Sequence, residues 1–397
     1  MSAPDASLVQ VLTACLSPDS AVRVPAESAL QGTIAQAHGC TVQLLDVILA
    51  AASVAPQVRA LAATCLKNCV IKRWRKGQNN PITPAEKAQA RGRCIHCILL
   101  PEPAIFRIVI AAISKMLRCD WNADEWQDLL PNVISLASSA DAVSARRGMQ
   151  ALHALVKELS SMSVFSEKQK FLAACPHIAA VVAPAWQHLL PLAPSSAEAA
   201  VAARTVAKVY KHTLMRNAAL AVPGGPVFAF LESCCQVTSF ASDVCSGRTQ
   251  CAIHEQMFAL TRTLLSCVRA FIKALPLQCS PILPNLAGAC VQLLVASARV
   301  QAVNDTAAAL ACRAISVLDA IIFENLYRPG SNTRVTGDPA AKQQAEAAFG
   351  AFFTDSTVSQ LVDLLACSYC SLSPAQLARW DESPEEFSHE CEAQVCC

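Results

Sequence analysis

This chain contains few aromatic residues and few glycines, and its formal net charge is close to zero. Phe, Trp and Tyr together make up 5% of its 397 residues, so an apolar interior has to be built mainly from Ala, Leu, Val, Ile and Cys. Side chains of this size allow helices to pack closely. The 12 glycines are too few for a protein with many β-hairpins. We therefore expect an all-α protein.

The formal net charge is only +2, so no overall field attracts the chain to nucleic acid or to anionic lipid. The first residues, MSAPDASLVQ, contain neither a basic leader with a long apolar core nor an Arg-rich amphipathic segment. We expect a protein of the cytosol or the nucleus that binds no nucleic acid directly. Its partners have to be recognised through local surface patches.

Two long uncharged stretches, 171–194 and 274–298, raise the question of a membrane span. Prolines interrupt both stretches, and they would leave short helices with unbonded backbone groups in lipid. Membrane insertion is therefore not expected. The prolines are Pro176, Pro184, Pro191 and Pro194 in the first stretch and Pro276, Pro281 and Pro284 in the second.

The 21 cysteines are spread along the chain and mostly occupy apolar positions of helical patterns. Reduced, buried thiols are therefore the expected state. CIHC (Cys94 and Cys97), CSYC (Cys367 and Cys370) and the tail 389–397 have ligand-like spacing. Two core thiols three positions apart on a helix give the same spacing, because such positions share a face. Zinc or redox chemistry stays an alternative, and no metal site or cofactor is predicted.

Helical segments of about 12 to 20 residues alternate with short breaks, and they pair into units of about 40 residues. In HEAT-like repeats no helix pair can bury its apolar face alone. We predict an all-α, HEAT-like α-solenoid, a superhelix of antiparallel helix pairs. The first predicted pairs are 5–16 with 20–36, 40–54 with 56–75, 84–100 with 103–118, and 124–138 with 141–160. Less regular segments follow at 167–190 with 195–216, 226–240 with 245–274, 282–298 with 304–327, and 340–370 after a loop at 328–339.

Several helix boundaries carry capping residues. TPAE (83–86) combines a hydroxyl cap, a proline in the first turn and an acid three residues after the cap, which predicts a capping box. SSAE (195–198) and SPAQ (373–376) repeat the pattern. Gly77 is expected to terminate the basic helix before it.

The stretch VRALAATCLKNCVIKRWRKG (58–77) places a basic cluster behind an apolar helical face. Two interpretations stay open. Cations near a helix C-terminus complement the helix dipole and keep the face solvated, or they form a contact surface for an acidic or polar partner. Trp74 is expected in the core. The predicted buried stripe is Val58, Leu61, Ala62, Cys65, Leu66, Cys69 and Val70.

Two blocks of this sequence resemble motifs of one protein family. The first block matches at Val58, Arg59, Leu66, Lys67, Asn68 and Trp74, and the second, CDWNADEWQDLLPNVISL, at Asp120, Trp121, Trp126, Leu129, Leu130 and Pro131. Both look like the N-terminal domain of the importin-beta (karyopherin) family. LARWDESPEEFSHE resembles a segment of the importin eleven branch at Trp380, Pro384, Glu385, Glu386 and Phe387. Gln127 departs from the family pattern, which has proline after this tryptophan.

The resemblance implies an importin-type nuclear transport receptor, a monomer that acts in the cytoplasm, the nucleus and the nuclear pore. Its implied partners are the Ran GTPase in its GTP form, cargo proteins and FG-repeat nucleoporins. Importin-beta N-terminal repeats are implied at 1–160 and further HEAT-like repeats at 161–397. A truncated C-terminus is expected, because family members continue well beyond this length. The implied Ran-binding candidates are Arg59, Lys67, Asn68, Lys72 and Arg73, and the structural motif comprises Trp74, Trp126, Leu129, Leu130 and Pro131.

Enzymatic function is not expected, because the sequence contains no GxxxxGK[ST], HExxH or GxSxG motif and no convincing carboxylate pair. The competing hypothesis is a HEAT-repeat scaffold that binds proteins independently of Ran. An acidic loop like the Ran-contacting insertion of some importins is not evident, since 328–339 is basic to neutral.

Overall fold

The chain is helical wherever the computed structural model describes regular structure, and it divides into two compact units, Met1–Ala185 and Trp186–Cys397. No strand occurs in the described part of the chain. The prediction of an all-α fold built from helix pairs is confirmed. The described residues are 4–78, 80–121, 125–215, 220, 224–299, 305–330, 339–370 and 374–386.

The helices of the first unit are α1 (Ala6–Cys15), α2 (Ser20–Gln36), α3 (Cys40–Leu49), α4 (Pro56–Arg73), α5 (Pro84–Cys97), α6 (Pro103–Asp120), α7 (Leu129–Ala137), α8 (Ala142–Ser160) and the start of α9 (Phe165–Leu192). Consecutive helices pack as pairs, from α1 on α2 to α7 on α8. In addition α2, α4, α6 and α8 pack on one another in order and form one layer. Each pair is therefore covered by the next.

Hydrogen bonds between neighbouring pairs recur at a nearly constant sequence separation. Glu86 accepts from the Thr41 amide 45 residues earlier, and Trp74 donates to Asp120 at a separation of 46. Arg147 donates to the Pro101 carbonyl, also at a separation of 46. These contacts set a repeat slightly longer than the predicted unit of about 40 residues, within the range of HEAT repeats.

The second unit is built in the same way from α10 (Ala197–Leu214), α11 (Pro226–Cys245), α12 (His254–Ala274), α13 (Pro276–Cys279), α14 (Leu283–Ala298), α15 (Asp305–Ile322), α16 (Pro339–Phe352), α17 (Asp355–Ser368) and α18 (Pro374–Glu382). One layer contains α10, α12 and α15, and the other contains α11, α14 and α16. The layers join where α11 packs on α12 and α14 packs on α15.

Four of the scarce aromatic side chains meet in the core of the second unit. The Phe230 ring lies 5.2 Å from Trp186, 4.9 Å from Tyr210 and 5.9 Å from Phe271, between ring centroids. All four rings are buried. Large rings fill space that Ala, Leu and Val leave elsewhere, so this cluster anchors the contact between the two layers.

The later helix boundaries differ from those predicted. The single helix expected at 340–370 is wrong, because Thr354 stops α16 and caps α17 by accepting from the Thr357 amide at 3.3 Å. The helix expected at 245–274 begins only at His254, after a turn with Gly247 at a φ of 70°. Positive φ favours glycine and ends a helix, and the apolar pattern does not reveal it.

Helix α9 runs unbroken through Pro176, Pro184 and Pro191, so the helix predicted at 167–190 is confirmed with slightly wider bounds. Each proline removes one backbone hydrogen bond of the helix. The prolines lie seven or eight residues apart, and Ile178 and Val182 are buried between the first two. Tertiary burial therefore outweighs the local cost.

Pro276–Ala298 is the one segment of the described chain that is long and apolar enough to cross a membrane, with a mean hydropathy of 1.5. It comprises α13, a 3₁₀ turn (Ser280–Ile282) and α14, and 61% of it is buried inside the structure. Because α14 packs on α11, α15 and α16, its apolar character is that of a core helix.

The predicted caps are confirmed in part. Thr83 accepts from the Glu86 amide at 3.2 Å, and Ser196 accepts from the Ala199 amide at 3.2 Å. The Glu86 carboxylate does not close a capping box, because it accepts instead from Gly39 and Thr41 at the start of α3. The expectation that Gly77 terminates the basic helix is wrong, since α4 ends at Arg73. The cap predicted at Ser373 lies outside the described residues.

Gly148 permits a very close contact between α8 and α7. A Cβ atom at this position of α8 would overlap the backbone of Leu136 and Ala137 in α7. We expect Gly148→Ala to lower the free energy of unfolding by about 2 kcal/mol or more, because backbone atoms have to move apart. Urea unfolding followed by circular dichroism measures the change.

Gly92 provides the matched control, since a Cβ at this position of α5 meets nothing within 4 Å. Gly92→Ala is expected to be neutral or to stabilise the helix by up to about 1 kcal/mol. Equal urea midpoints for the two variants would contradict the close approach of α7 and α8.

Candidate partner-binding surface

Helix α4 begins at Pro56 in its first turn and follows the predicted apolar pattern. Val58, Ala62 and Leu66 are buried, as are Cys69 and Val70. Leu61 is half-buried. The helix packs on α3 within its pair and on α6 in its layer, so its apolar stripe is covered from two sides.

The five candidate contact residues divide into two groups. Asn68 and Lys72 are exposed and Lys67 is half-buried, so these three side chains reach the surface of α4. Arg59 and Arg73 are 1% and 3% exposed and lie in the interior. The expectation that Arg73 is a surface residue is wrong, because the carbonyl groups around it bind its guanidinium.

Arg59 joins three helices from the inside. Its Nε donates to the Ile48 carbonyl at the end of α3 at 2.8 Å, and its guanidinium pairs with Glu102 at the start of α6. Burial opposes ionisation of Glu102, but hydrogen bonds from Arg59 and the backbone, together with the charges of Arg59 and Arg147, outweigh it and lower the pKa of Glu102. A buried arginine held in this way positions helices and does not reach a partner.

Arg73 fastens the end of α4 to the preceding pair. Its Nε donates to the Asn80 carbonyl at 2.8 Å, and Nη1 donates to the Ile34 and Ala37 carbonyls at 2.7 and 3.2 Å. These carbonyls include the unpaired ones at the C-terminus of α2, where a cation is favoured. The guanidinium therefore acts as a C-terminal cap for a neighbouring helix.

Trp74 lies at the centre of a buried polar cluster. Its ring is fully buried, and its Nε1 donates to Asp120 Oδ1 at 2.9 Å. Arg91 pairs with Asp120 at 2.9 Å and with Glu125 at 2.7 Å. Lys87 Nζ lies 5.3 Å from the centroid of the Trp74 ring, and the Arg91 guanidinium lies 5.8 Å from it.

The cluster shifts the pKa values of its two carboxyl groups in opposite directions. Burial raises the pKa of Asp120, although hydrogen bonds from Trp74 and Arg91 oppose the shift. Hydrogen bonds from Arg91 and Lys76 lower the pKa of Glu125. The difference follows from depth, since Asp120 is almost fully removed from water and Glu125 is not.

The second motif builds a pocket between the end of α6, α7 and α9. Trp126 and Leu130 are buried, Pro131 is exposed, and all three line a cavity of about 560 Å³ together with Trp121. Leu129 is fully buried outside the lining. Lys170 Nζ lies 5.0 Å from the Trp121 ring and donates to the Trp121 carbonyl at 2.7 Å. The pocket is thus apolar with one fixed cation at its edge.

Helix α6, which packs on α4 in the same layer, carries three basic residues that were not identified as candidates from the sequence. Arg107 and Lys115 are exposed, and Arg118 is half-buried. Lys115 and Arg118 both pair with Glu158 of α8 at 2.9 Å. Burial opposes ionisation of Glu158, but the two cations outweigh it and lower the pKa of Glu158. Their spacing along α6, opposite the apolar stripe, is the signal that could have revealed them.

The cysteine pair of α5 lies in the core. Cys94 and Cys97 are fully buried, and Cys94 Sγ lies 3.8 Å from Met116 Sδ. Burial raises the pKa of Cys97 to about 12, so the thiol stays protonated at neutral pH. Cys367 and Cys370 are exposed. Among the residues described, no three His, Cys, Asp or Glu side chains are grouped so as to hold a metal ion, and the tail 389–397 lies outside them.

We expect Trp74→Phe to lower the free energy of unfolding by about 2 kcal/mol at neutral pH, because it leaves a buried oxygen of Asp120 unpaired. The loss should shrink as the pH falls through the raised pKa of Asp120, since the protonated carboxyl needs the donor less. Thermal unfolding at several pH values measures both effects. A loss that does not depend on pH would contradict the role of the hydrogen bond.

Comparison with known proteins places this surface in a recognised domain. Residues 26–99 match the family model of the importin-beta N-terminal domain. Importin-11 of Mus musculus is 22% identical over 410 residues, an alignment that covers 96% of this chain and 40% of the relative. The chain thus spans less than half the length of the curated relatives that it matches over most of its own length.

Solved structures share the fold. Lph2 of S. cerevisiae, described as a bidirectional nuclear transport receptor, superposes with a TM-score of 0.72 at 22% identity and covers 96% of this chain and 38% of its own. Yeast importin-beta (Kap95p) superposes with a TM-score of 0.56 at 13% identity, and the alignment covers 90% of this chain and 43% of Kap95p. That structure describes the action of Kap95p on the switch loops of RanGDP. Kap95 in its complex with Nup1 superposes with a TM-score of 0.59 at 14% identity and with the same coverage. The predicted HEAT-repeat architecture is confirmed.

Proposed function

We propose that this chain is a transport receptor of the importin-beta (karyopherin) type and not an enzyme, and that it binds the GTP form of Ran, cargo proteins and FG-repeat nucleoporins in nuclear protein import. The match of residues 26–99 to the importin-beta N-terminal domain carries the proposal. Similarity to Importin-11 along nearly the whole chain favours import, and the bidirectional Lph2 has the same fold. The proposal places the protein in the cytoplasm, the nucleus and the nuclear pore, as a monomer.

In this proposal residues 1–160 are the Ran-binding repeats and 161–397 are further repeats that contact cargo. Lys67, Asn68 and Lys72 are the contact residues of α4, since they reach the surface without an ion pair among the described side chains. Cations at the exposed edge of an interface steer an acidic partner and add modest affinity. Arg59 and Arg73 hold α4 in place beneath these residues.

Coupling between ligands follows from the repeat construction. Each helix pair contacts only its neighbours, so small rotations at successive contacts accumulate along such a stack. A ligand that binds one curvature better shifts the population toward it, and the affinity of the second ligand changes by the same factor. Ran and cargo can therefore exclude each other without touching.

A second candidate function is a scaffold that binds proteins independently of Ran. Arg59 and Arg73 lie in the interior, so α4 has fewer surface residues that could contact Ran. This observation favours the scaffold. The chain also spans only 40% of the length of Importin-11.

Lys67→Glu combined with Lys72→Glu tests the proposal. We expect the unaltered chain to capture Ran loaded with a GTP analogue and not Ran loaded with GDP, and the double variant to bind about tenfold more weakly through lost charge complementarity. Pulldown with titrated Ran measures both. Lys168→Glu, an exposed lysine of α9, is the matched control and should bind normally. Equal capture of the two nucleotide forms, or no capture, would contradict Ran-dependent transport and favour the scaffold.

A further inference from the structure

Four of the eight residues that line a cleft in the second unit are cations, and none of the eight is acidic. Lys211 of α10, Arg269 and Lys273 of α12 and Arg313 of α15 surround a cavity of about 390 Å³. We call these four residues and their cavity the cationic groove. The remaining lining consists of small or apolar side chains, which are Leu265, Ser266, Ala270 and Ser316.

Helical spacing on adjacent helices brings these cations together. In α10, Arg204, Lys208 and Lys211 recur at intervals of four and three residues, so they form one stripe. Arg269 and Lys273 are likewise four residues apart on α12. The two helices touch beneath the stripes, where Cys267 Sγ donates to the Ala207 carbonyl at 3.6 Å.

No carboxylate neutralises the groove in the described part of the chain. None of its four cations forms a salt bridge with a described side chain. Glu198 and Glu255 lie in the first turns of α10 and α12, at the opposite ends of these helices. Buried Arg269 Nε has no hydrogen-bond partner. Like charges this close repel one another, and an anionic ligand would remove that cost.

The contrast with the first unit shows that the repeat can supply a counter-charge. There Glu158 of α8 pairs with both Lys115 and Arg118 of the neighbouring helix α6. The position of α15 that faces the groove carries Arg313 instead of an acid. At this place in the second unit, the cations of α10, α12 and α15 therefore face one another without a counter-charge from the neighbouring helix.

We propose that the cationic groove binds an extended, Asp- or Glu-rich peptide segment of a protein partner. The groove crosses three packed helices, so it spans about 20 Å at the usual interaxial distance, which an extended peptide of about six residues covers. Nucleic acid fits less well, because the lining contains no aromatic ring on which a base could stack and the net charge of the chain is only +2. The inference rests on the proposed function only in identifying the peptide as part of a cargo.

Fluorescence anisotropy tests this with the full chain and a labelled peptide of about 12 alternating Glu and Gly residues, long enough to cross the groove. A Lys-Gly peptide and a single-stranded oligouridylate are the comparison ligands. We expect the Glu-Gly peptide to bind, the Lys-Gly peptide not to bind, and affinity to fall as salt is raised.

Lys273→Glu combined with Arg313→Glu should weaken the binding of the Glu-Gly peptide about tenfold or more. Both side chains are exposed, so folding should be retained, and unfolding temperatures check this. Arg248→Glu, an exposed arginine of the same unit outside the groove, is the matched control and should bind normally. Arg269→Gln removes one charge but keeps a polar side chain, and it should give a smaller loss.

Failure of the peptide to bind, an unchanged affinity in the double variant, or tighter binding of the oligouridylate would each overturn the proposal. Ran capture is measured on the same preparations, and it separates the hypothesis of Ran-dependent transport from the hypothesis of peptide binding in the cationic groove. If the unaltered chain fails to bind the peptide but captures Ran in a nucleotide-dependent way, only the cationic groove is overturned. Peptide binding that survives Lys67→Glu with Lys72→Glu assigns the two ligands to different surfaces.

Discussion

Buried polar contacts between one helix pair and the next fix the register of this structure. Apolar packing alone is non-directional, and faces made of Ala, Leu, Val and Cys can slide past one another at little cost. Burying an unpaired carboxylate or guanidinium costs far more. Arg59 with Glu102, Trp74 with Asp120 and Glu86 with the start of α3 are satisfied together in one alignment of the helices. The surface that carries Lys67 and Lys72 depends on this alignment.

The sequence predicted the helices well because each buries a stripe with a period close to 3.6 residues. It failed at Arg73, because this long basic side chain was expected to face water. A signal was present, since Arg59, Ala62, Leu66, Cys69 and Arg73 follow one another at spacings of three or four and form part of the buried stripe itself. An arginine inside such a stripe needs interior acceptors, which are carbonyl groups for Arg73 and a carboxylate for Arg59.

Other features could not be predicted from local patterns. The partners of Trp74 and Glu86 lie about one repeat of 45 residues away, so only the stacked structure shows them. The cationic groove combines residues from α10, α12 and α15, and a net charge of +2 for the whole chain conceals it. The break between α16 and α17 depends on a single capping threonine within a continuous apolar pattern.

The capping of α3 by Glu86 also has a consequence for biosynthesis. The amides of Gly39 and Thr41 are satisfied by a residue that emerges from the ribosome only after the whole of α4 has been made. A nascent chain that has reached the end of α4 therefore carries an unfinished helix start, which its own hairpin does not complete. The start of α3 is thus completed only once the first turn of α5 has been made.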